Sequence, residues 1–170
     1  DARRQAMKLF GTKLILTVCL LGSAAGHAET DKASRILVDK SERTLVLFSN
    51  GHPIRSYPVS LGLNPVGHKR YEGDKRTPEG IYLIDGKNPN SAYHLSLHIS
   101  YPNERDVRSA RERGWDPGGQ IMIHGLPTGL IKASAKYEYD WTDGCIAVSN
   151  AAIEEIWRLV EEGTVIEITP

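Results

Sequence analysis

Hydrophobic residues along this chain recur mostly at strand spacing and switch to helical spacing once, near the C-terminus. Ile36 to Val38 and Thr44 to Phe48 read as short strands separated by a charged turn. Ser49-Asn50-Gly51 is a hairpin signal, and Ile54 to Leu61 reads as the return strand. A long loop rich in glycine, proline and charge runs from Leu63 to Gly80. Ile81 to Asp85 is a further strand. "YHLSLHISYP" alternates: Leu95, Leu97 and Ile99 on one face, His94, Ser96, His98 and Ser100 on the other. The polar stretch from Asn103 holds a possible short helix ending near Gly114. "QIMIHG" reads as a buried strand, and Leu126 to Trp141 as a loop or short helix. Ile146 to Val148 is short and apolar. Ile153, Ile156, Trp157 and Val160 then repeat at i, i+3, i+4 and i+7, so a helix starts near Ser149 or Asn150, with Gly163 to stop it. Thr164 to Thr169 is the last strand. The pattern predicts one β-rich mixed α/β domain with one helix after Cys145.

Composition adds the compartment. Lys+Arg and Asp+Glu are both 21, which gives no overall basic signal for nucleic acid. Met7, Lys8 and Lys13 precede the apolar run Leu14 to Leu21 and a small-residue stretch ending Gly26-His27-Ala28. This order predicts a secretory signal over residues 1–28, with Asp1 to Ala6 as upstream sequence, and a catalytic domain over 29–170. The apolar run is short for a membrane span, so no stable anchor is expected. Apolar sequence continues past Cys19, and Val18 suits a lipidation site poorly. Four of the basic residues and one acidic residue fall within 1–28, leaving 17 and 20 in the mature chain, a net charge of −3. Cys19 leaves as well. One cysteine, Cys145, remains in a compartment where cysteines usually pair, and an unpaired exported thiol is either buried or used.

Cys145 lies in "DWTDGCIAV", after the turn-like Thr142-Asp143-Gly144 and just before the helix. A buried structural cysteine is the plain alternative. Gly144 permits close backbone approach to a substrate, and amides around Gly144 and Cys145 suit an oxyanion hole. His124 ends an apolar strand 21 residues upstream. It is either a core histidine or the partner of Cys145. As a partner, its imidazole would lower the thiol's cost of ionisation, while a carbonyl or carboxylate oriented its second nitrogen.

"IMIHG…DWTDGCIAVSN" resembles the L,D-transpeptidase (YkuD-like) catalytic domain, whose pattern is His-Gly, a gap, Ser/Thr-x-Gly-Cys, an apolar residue and a later Asn. The positions matched are His124, Thr142, Gly144, Cys145 and Asn150. "ILVDKSERTLVLFSNGHPIRSYPVSLG" and "KRTPEGIYLID" resemble that family's opening strands and its Thr-Pro-x-Gly segment, so the likeness runs from about Arg35 to Thr169. The resemblance implies a β-sandwich and cell-wall chemistry without metal or cofactor. Cys145 would attack the carbonyl between diaminopimelate and D-alanine in a peptidoglycan stem tetrapeptide. His124 would move the proton, and the Gly125 carbonyl would orient it. An amine acceptor would resolve the thioester: a second stem peptide, a D-amino acid or a wall-attached protein. The enzyme would be periplasmic and monomeric. Water as acceptor would make it a hydrolase, and a non-catalytic wall-binding module is the further alternative.

Two positions depart from the commonest pattern: Asp143 replaces a histidine, and Ala147 stands where arginine is frequent. A carboxylate pointing at the thiol would oppose thiolate formation. Asp143 is therefore expected to face substrate and bind the cationic amine of diaminopimelate, unless it only shapes the turn. Thr142, Trp141 and His98 are further candidate substrate contacts, and Tyr139 flanks the motif. His94 and His98 lack a third zinc ligand and read as a cleft wall or a solvent face. Lys69, Arg70, Lys75 and Arg76 read as a solvated basic loop, or as a guide for an anionic muropeptide.

Overall fold

The computed structural model describes residues 32–127 and 140–170. The export segment expected over 1–28, Tyr139 and most of the loop before Trp141 lie outside them. The elements in chain order are β1 (Arg35–Asp39), β2 (Thr44–Ser49), β3 (His52–Pro58), β4 (Gly80–Ser91), β5 (His94–Ile99), α1 (Glu104–Arg111), β6 (Met122–His124), β7 (Ile146–Ala147), α2 (Asn150–Leu159) and β8 (Val165–Thr169). The strands form one hydrogen-bonded order, β3-β2-β1-β8-β4-β5-β6-β7. The β-rich mixed fold foreseen from the pattern is present; α2 is the helix expected after Cys145, and α1 is the short helix allowed in the polar stretch from Asn103.

The β2–β3 hairpin forms where the sequence signals it. Asn50 and Gly51 both take positive φ, 50° and 80°, as a tight hairpin turn requires. β4 is far longer than the Ile81–Asp85 strand foreseen, because it serves two partners. Gly80–Leu83 pairs with β8, and Ile84–Ser91 pairs with β5 through two bulges. Bulges bend a strand, so β4 turns the sheet over on itself. The ends of the order are then joined: Ser60, just past β3, bridges Ala147 of β7. The two halves enclose one core that includes Ile36, Leu45, Leu97, Ile123, Ile146 and Ile153. Each such side chain contributes roughly 1.5–3 kcal/mol by leaving water.

Both helices start on side-chain caps. Asn103 and Asp106 form a reciprocal capping box on α1. Ser149 caps α2, accepting from the Ala152 amide. Gly163 does not end α2 as foreseen. The helix stops at Leu159, and Val160 is already extended. Tertiary donors replace a glycine cap: Lys87 Nζ donates to the Trp157 and Val160 carbonyls, Lys32 Nζ to Arg158, and the Ala33 amide to Leu159. Gly163 instead turns the chain into β8 at φ 89°. Among the described residues no helix is long and apolar enough to cross a membrane.

Candidate active site

β6 and β7 run parallel, with Ile123 opposite Ile146 and His124 opposite Ala147. Side chains alternate along strands. Ile123 and Ile146 fill the core, so His124 projects from the other face. Cys145 immediately precedes Ile146 and shares that face. The Val148 amide donates to the His124 carbonyl at 2.9 Å, fixing the two segments side by side. The sheet thus brings together a thiol and an imidazole that are 21 residues apart in sequence.

His124 is buried, and its Nδ1 lies 2.7 Å from the Gly125 carbonyl. A carbonyl only accepts, so Nδ1 carries the proton and Nε2 is left as the basic nitrogen. The ring is flanked by Tyr93 at 4.5 Å and Trp141 at 5.7 Å between centroids. Asn150 fixes the residues that follow. Its Oδ1 accepts from the Leu126 amide at 2.8 Å, and a Cβ on Gly125 would sit 2.7 Å from that oxygen. Only glycine fits between the histidine and Asn150.

Cys145 is half-buried and unpaired, with Sγ 3.5 Å from the Gln120 carbonyl. The turn before it is held internally. Thr142 Oγ1 accepts from the Gly144 amide at 3.1 Å and donates to the Cys145 carbonyl at 2.7 Å. Gly144 takes φ 130°, and a Cβ there would lie 2.6 Å from the Arg76 carbonyl. The entry to the turn is anchored by Asp140, which grips the Arg43 guanidinium with both oxygens and accepts from the Leu61 amide.

Burial lowers the His124 pKa, against the opposing pull of the Gly125 carbonyl. Burial raises the Cys145 thiol; the Met122 amide pulls it down, Asp143 pushes it up, and Lys69 pulls it down. Burial thus works against the charged form of each group, lowering His124 and raising Cys145.

The sulfur opens on a cleft of about 390 Å³ whose lining includes Lys69, Lys75, Gln120, Ile121 and Asp143. The Asp143 side chain is 86% exposed and 3.6 Å from Lys75 Nζ. It faces the cleft. The basic loop is only partly a solvated one. Lys69 is buried and ion-paired with Asp74 at 2.9 Å. Asp74 also accepts from the Arg70, Tyr71 and Arg76 amides, which winds the loop around one carboxylate.

The remaining candidates divide. Thr142 is buried inside the turn, and Trp141 stacks on His124. His98 lies opposite Met122 on the face that carries His124, with Nδ1 2.5 Å from Asp85. His94 pairs with Glu154 at 2.7 Å. The two histidines are four residues apart, roughly 13 Å along a strand, and each is held by its own carboxylate. Tyr93 and the Arg43–Asp140 pair shape the site without having been singled out, Asn150 was marked only as a motif position, and Lys69 only as part of a basic loop, not as the partner of Asp74. No sequence signal marked Tyr93. Asp74, following Gly73 in a turn-rich loop, was a readable turn-former. The largest cavity, about 670 Å³, lies under α1 around His68, Tyr82 and Asp106. Asp106 binds the other two, His68 at 3.1 Å and the Tyr82 hydroxyl at 3.0 Å, and Cys145 does not line this cavity.

Comparison with known proteins agrees with this geometry. The model of the L,D-transpeptidase catalytic domain, YkuD, matches residues 33–168. The Escherichia coli K12 protein YafK is 28% identical over 156 residues, 83% of this chain and 56% of its own length. The Bacillus licheniformis protein YkuD is 28% identical over 143 residues, 80% of this chain and 66% of its own. Both are named as L,D-transpeptidases. The helical cell shape determining protein Pgp2 of Campylobacter jejuni superimposes with TM-score 0.60 at 26% identity, covering 82% of this chain and 48% of that one. Bd1075 of Bdellovibrio bacteriovorus gives 0.57 at 29%, covering 84% and 50%. The chain therefore spans about half to two-thirds of these relatives.

Proposed function

The chain belongs to the YkuD family of L,D-transpeptidase catalytic domains, and we propose from that premise that it is a peptidoglycan L,D-transpeptidase with Cys145 as nucleophile. The observation that carries this reading is the shared face of Cys145 and His124, with Nδ1 of the histidine tied to Gly125 and Nε2 left basic.

In the first half-reaction the thiol proton passes to Nε2 of His124. Sγ attacks the diaminopimelate carbonyl of a stem tetrapeptide, and the C–N bond to D-alanine breaks. The proton on Nε2 goes to the departing amine. In the second half, an amine attacks the thioester, gives its proton to Nε2, and the sulfur leaves and is reprotonated. The Gly144 amide is engaged with Thr142, so the amide of Cys145 is the donor nearest the developing oxyanion. Asp143, at the cleft edge, binds the cationic amine of the substrate. The chemistry uses no metal or cofactor. The enzyme is exported through a cleavable signal and works in the periplasm as a monomer. Its action on the wall bears on cell shape, the role that names the Campylobacter protein.

The test uses the purified chain, a disaccharide-tetrapeptide and a D-amino acid, with products read by mass spectrometry beside Cys145→Ala. An exchanged or crosslinked product that needs Cys145 is the expected result. Tripeptide alone would make it a hydrolase. No product from either protein would overturn the enzymatic reading and favour a wall-binding module.

A further inference from the structure

Two aromatic side chains stand exposed beside the cleft and take no part in the chemistry above. Tyr71 is 43% exposed and Trp115 is 40% exposed. Their rings meet edge to face, 5.1 Å between centroids. They come from separate loops that are bolted together. The Glu72 amide donates to the Asp116 carbonyl at 2.8 Å, and Gly118, at φ 71°, brings its backbone against Glu72. The buried Lys69 ammonium holds the Tyr71 carbonyl at 3.0 Å. Both loops continue directly into the cleft: Glu72 and Gly118 line it together with Cys145, and the Gln120 carbonyl touches the sulfur.

From this arrangement, and resting on the stem-peptide reading above, we infer that Tyr71 and Trp115 form a carbohydrate subsite that receives the sugar carrying the peptide. Three features select a sugar. A pyranose has an apolar face ringed by hydroxyls, which suits a fixed aromatic surface with polar groups at its edge. Polar groups are present: the Arg113 guanidinium lies over the Trp115 ring, 5.9 Å from its centroid, and the exposed Glu72 carboxylate stands at the cleft side. A protein partner would need about 800 Å² on this side, and two half-exposed rings fall well short of that. Reach also agrees. Trp115 is five residues from Gln120, at most about 18 Å of chain. Three stem residues lie between the scissile carbonyl and the lactyl group of the sugar, roughly 11 Å extended.

The experiment is isothermal titration calorimetry on the full chain carrying Cys145→Ala, so that nothing turns over. The probes are the disaccharide-tetrapeptide, the tetrapeptide without sugar, and the free N-acetylglucosaminyl-N-acetylmuramic acid disaccharide. The sugar should tighten peptide binding about three- to tenfold. Adding Trp115→Ala or Tyr71→Ala should abolish that increment and leave sugar-free peptide binding unchanged, and Trp115→Phe should keep most of it. Equal affinity for the two peptides would overturn the subsite while leaving the enzyme reading intact. So would an equal loss for both peptides in Trp115→Ala. Binding of the free disaccharide through Trp115, with the peptide ignored, would keep the subsite and overturn the stem-peptide reading. Binding of none of the probes would overturn both.

Discussion

Asn150 offers the sharpest separation of geometry from stability. Its Oδ1 accepts the Leu126 amide at 2.8 Å, which fixes the peptide unit whose other end is the Gly125 carbonyl, 2.7 Å from His124 Nδ1. Asn150→Ala removes the acceptor and leaves the amide of a buried leucine without one. An orphaned buried donor costs about 1–3 kcal/mol. Asn150 is itself exposed, so water can take its place, which puts the loss near the lower end, about 1 kcal/mol. For a chain of this size that is roughly 2–4 °C in Tm. The effect on catalysis should be larger. The Gly125 carbonyl is released and the imidazole can turn; misplacing a catalytic group by about 1 Å costs on the order of a hundredfold in rate. Asn150→Asp keeps the accepting oxygen and puts a negative charge at the start of α2, where it is favoured. Calorimetry and kcat/KM on the tetrapeptide should show Asn150→Ala slightly less stable and about a hundredfold slower, with Asn150→Asp close to the parent. Equal activity losses in the two variants, or a Tm loss without a rate loss, would refute the chain of positioning from Asn150 to His124.

Gly144→Ala must place a Cβ 2.6 Å from the Arg76 carbonyl at φ 130°; thermal unfolding should show a loss of about 1–3 kcal/mol, and an unchanged Tm would contradict it. Asp143→Asn removes a charge that raises the Cys145 thiol, so the pH midpoint of iodoacetamide alkylation should move down. Tetrapeptide kcat/KM should fall about tenfold as the cationic contact weakens, and unchanged substrate kinetics would remove Asp143 from the substrate site. His124 has a native pKa below its usual value of 6.5. Below that usual value the unfolded chain binds a proton the native state refuses, so stability falls as pH drops toward the native pKa. Urea titrations at pH 7 and pH 5 should show this decline, and His124→Gln should flatten it; equal slopes would refute the burial cause.

The strands were legible because their hydrophobic period is local. Ile36 to Phe48 alternates, and Asn50-Gly51 demands the turn that forms. The helix end was not legible, because what ends α2 is remote. Lys87, seventy residues before Trp157, and Lys32 supply the capping donors that the sequence seemed to assign to Gly163. β4 was underestimated for a similar reason. Gly86 to Asn90 reads as a turn in isolation, yet it is drawn into pairing with β5 through bulges that only the partner strand defines.

The site divides along the same line, and the division explains its electrostatics. Cys145 and His124 could be singled out because a lone thiol after an expected export signal and a strand-end histidine are conspicuous by residue type. Their protonation could not, because charge state is set by what covers them. Tyr93 and Trp141 close over the imidazole, and the loop wound on Asp74 lies against Gly144 through the Arg76 carbonyl. Tyr93, Asp74 and Arg76 sit tens of positions away from both in sequence. Desolvation outweighs the pull of Lys69, whose ammonium is already committed to Asp74 and to the Tyr71 carbonyl. A thiol whose pKa burial raises is less open to adventitious oxidation and alkylation, since the thiolate is the reactive species.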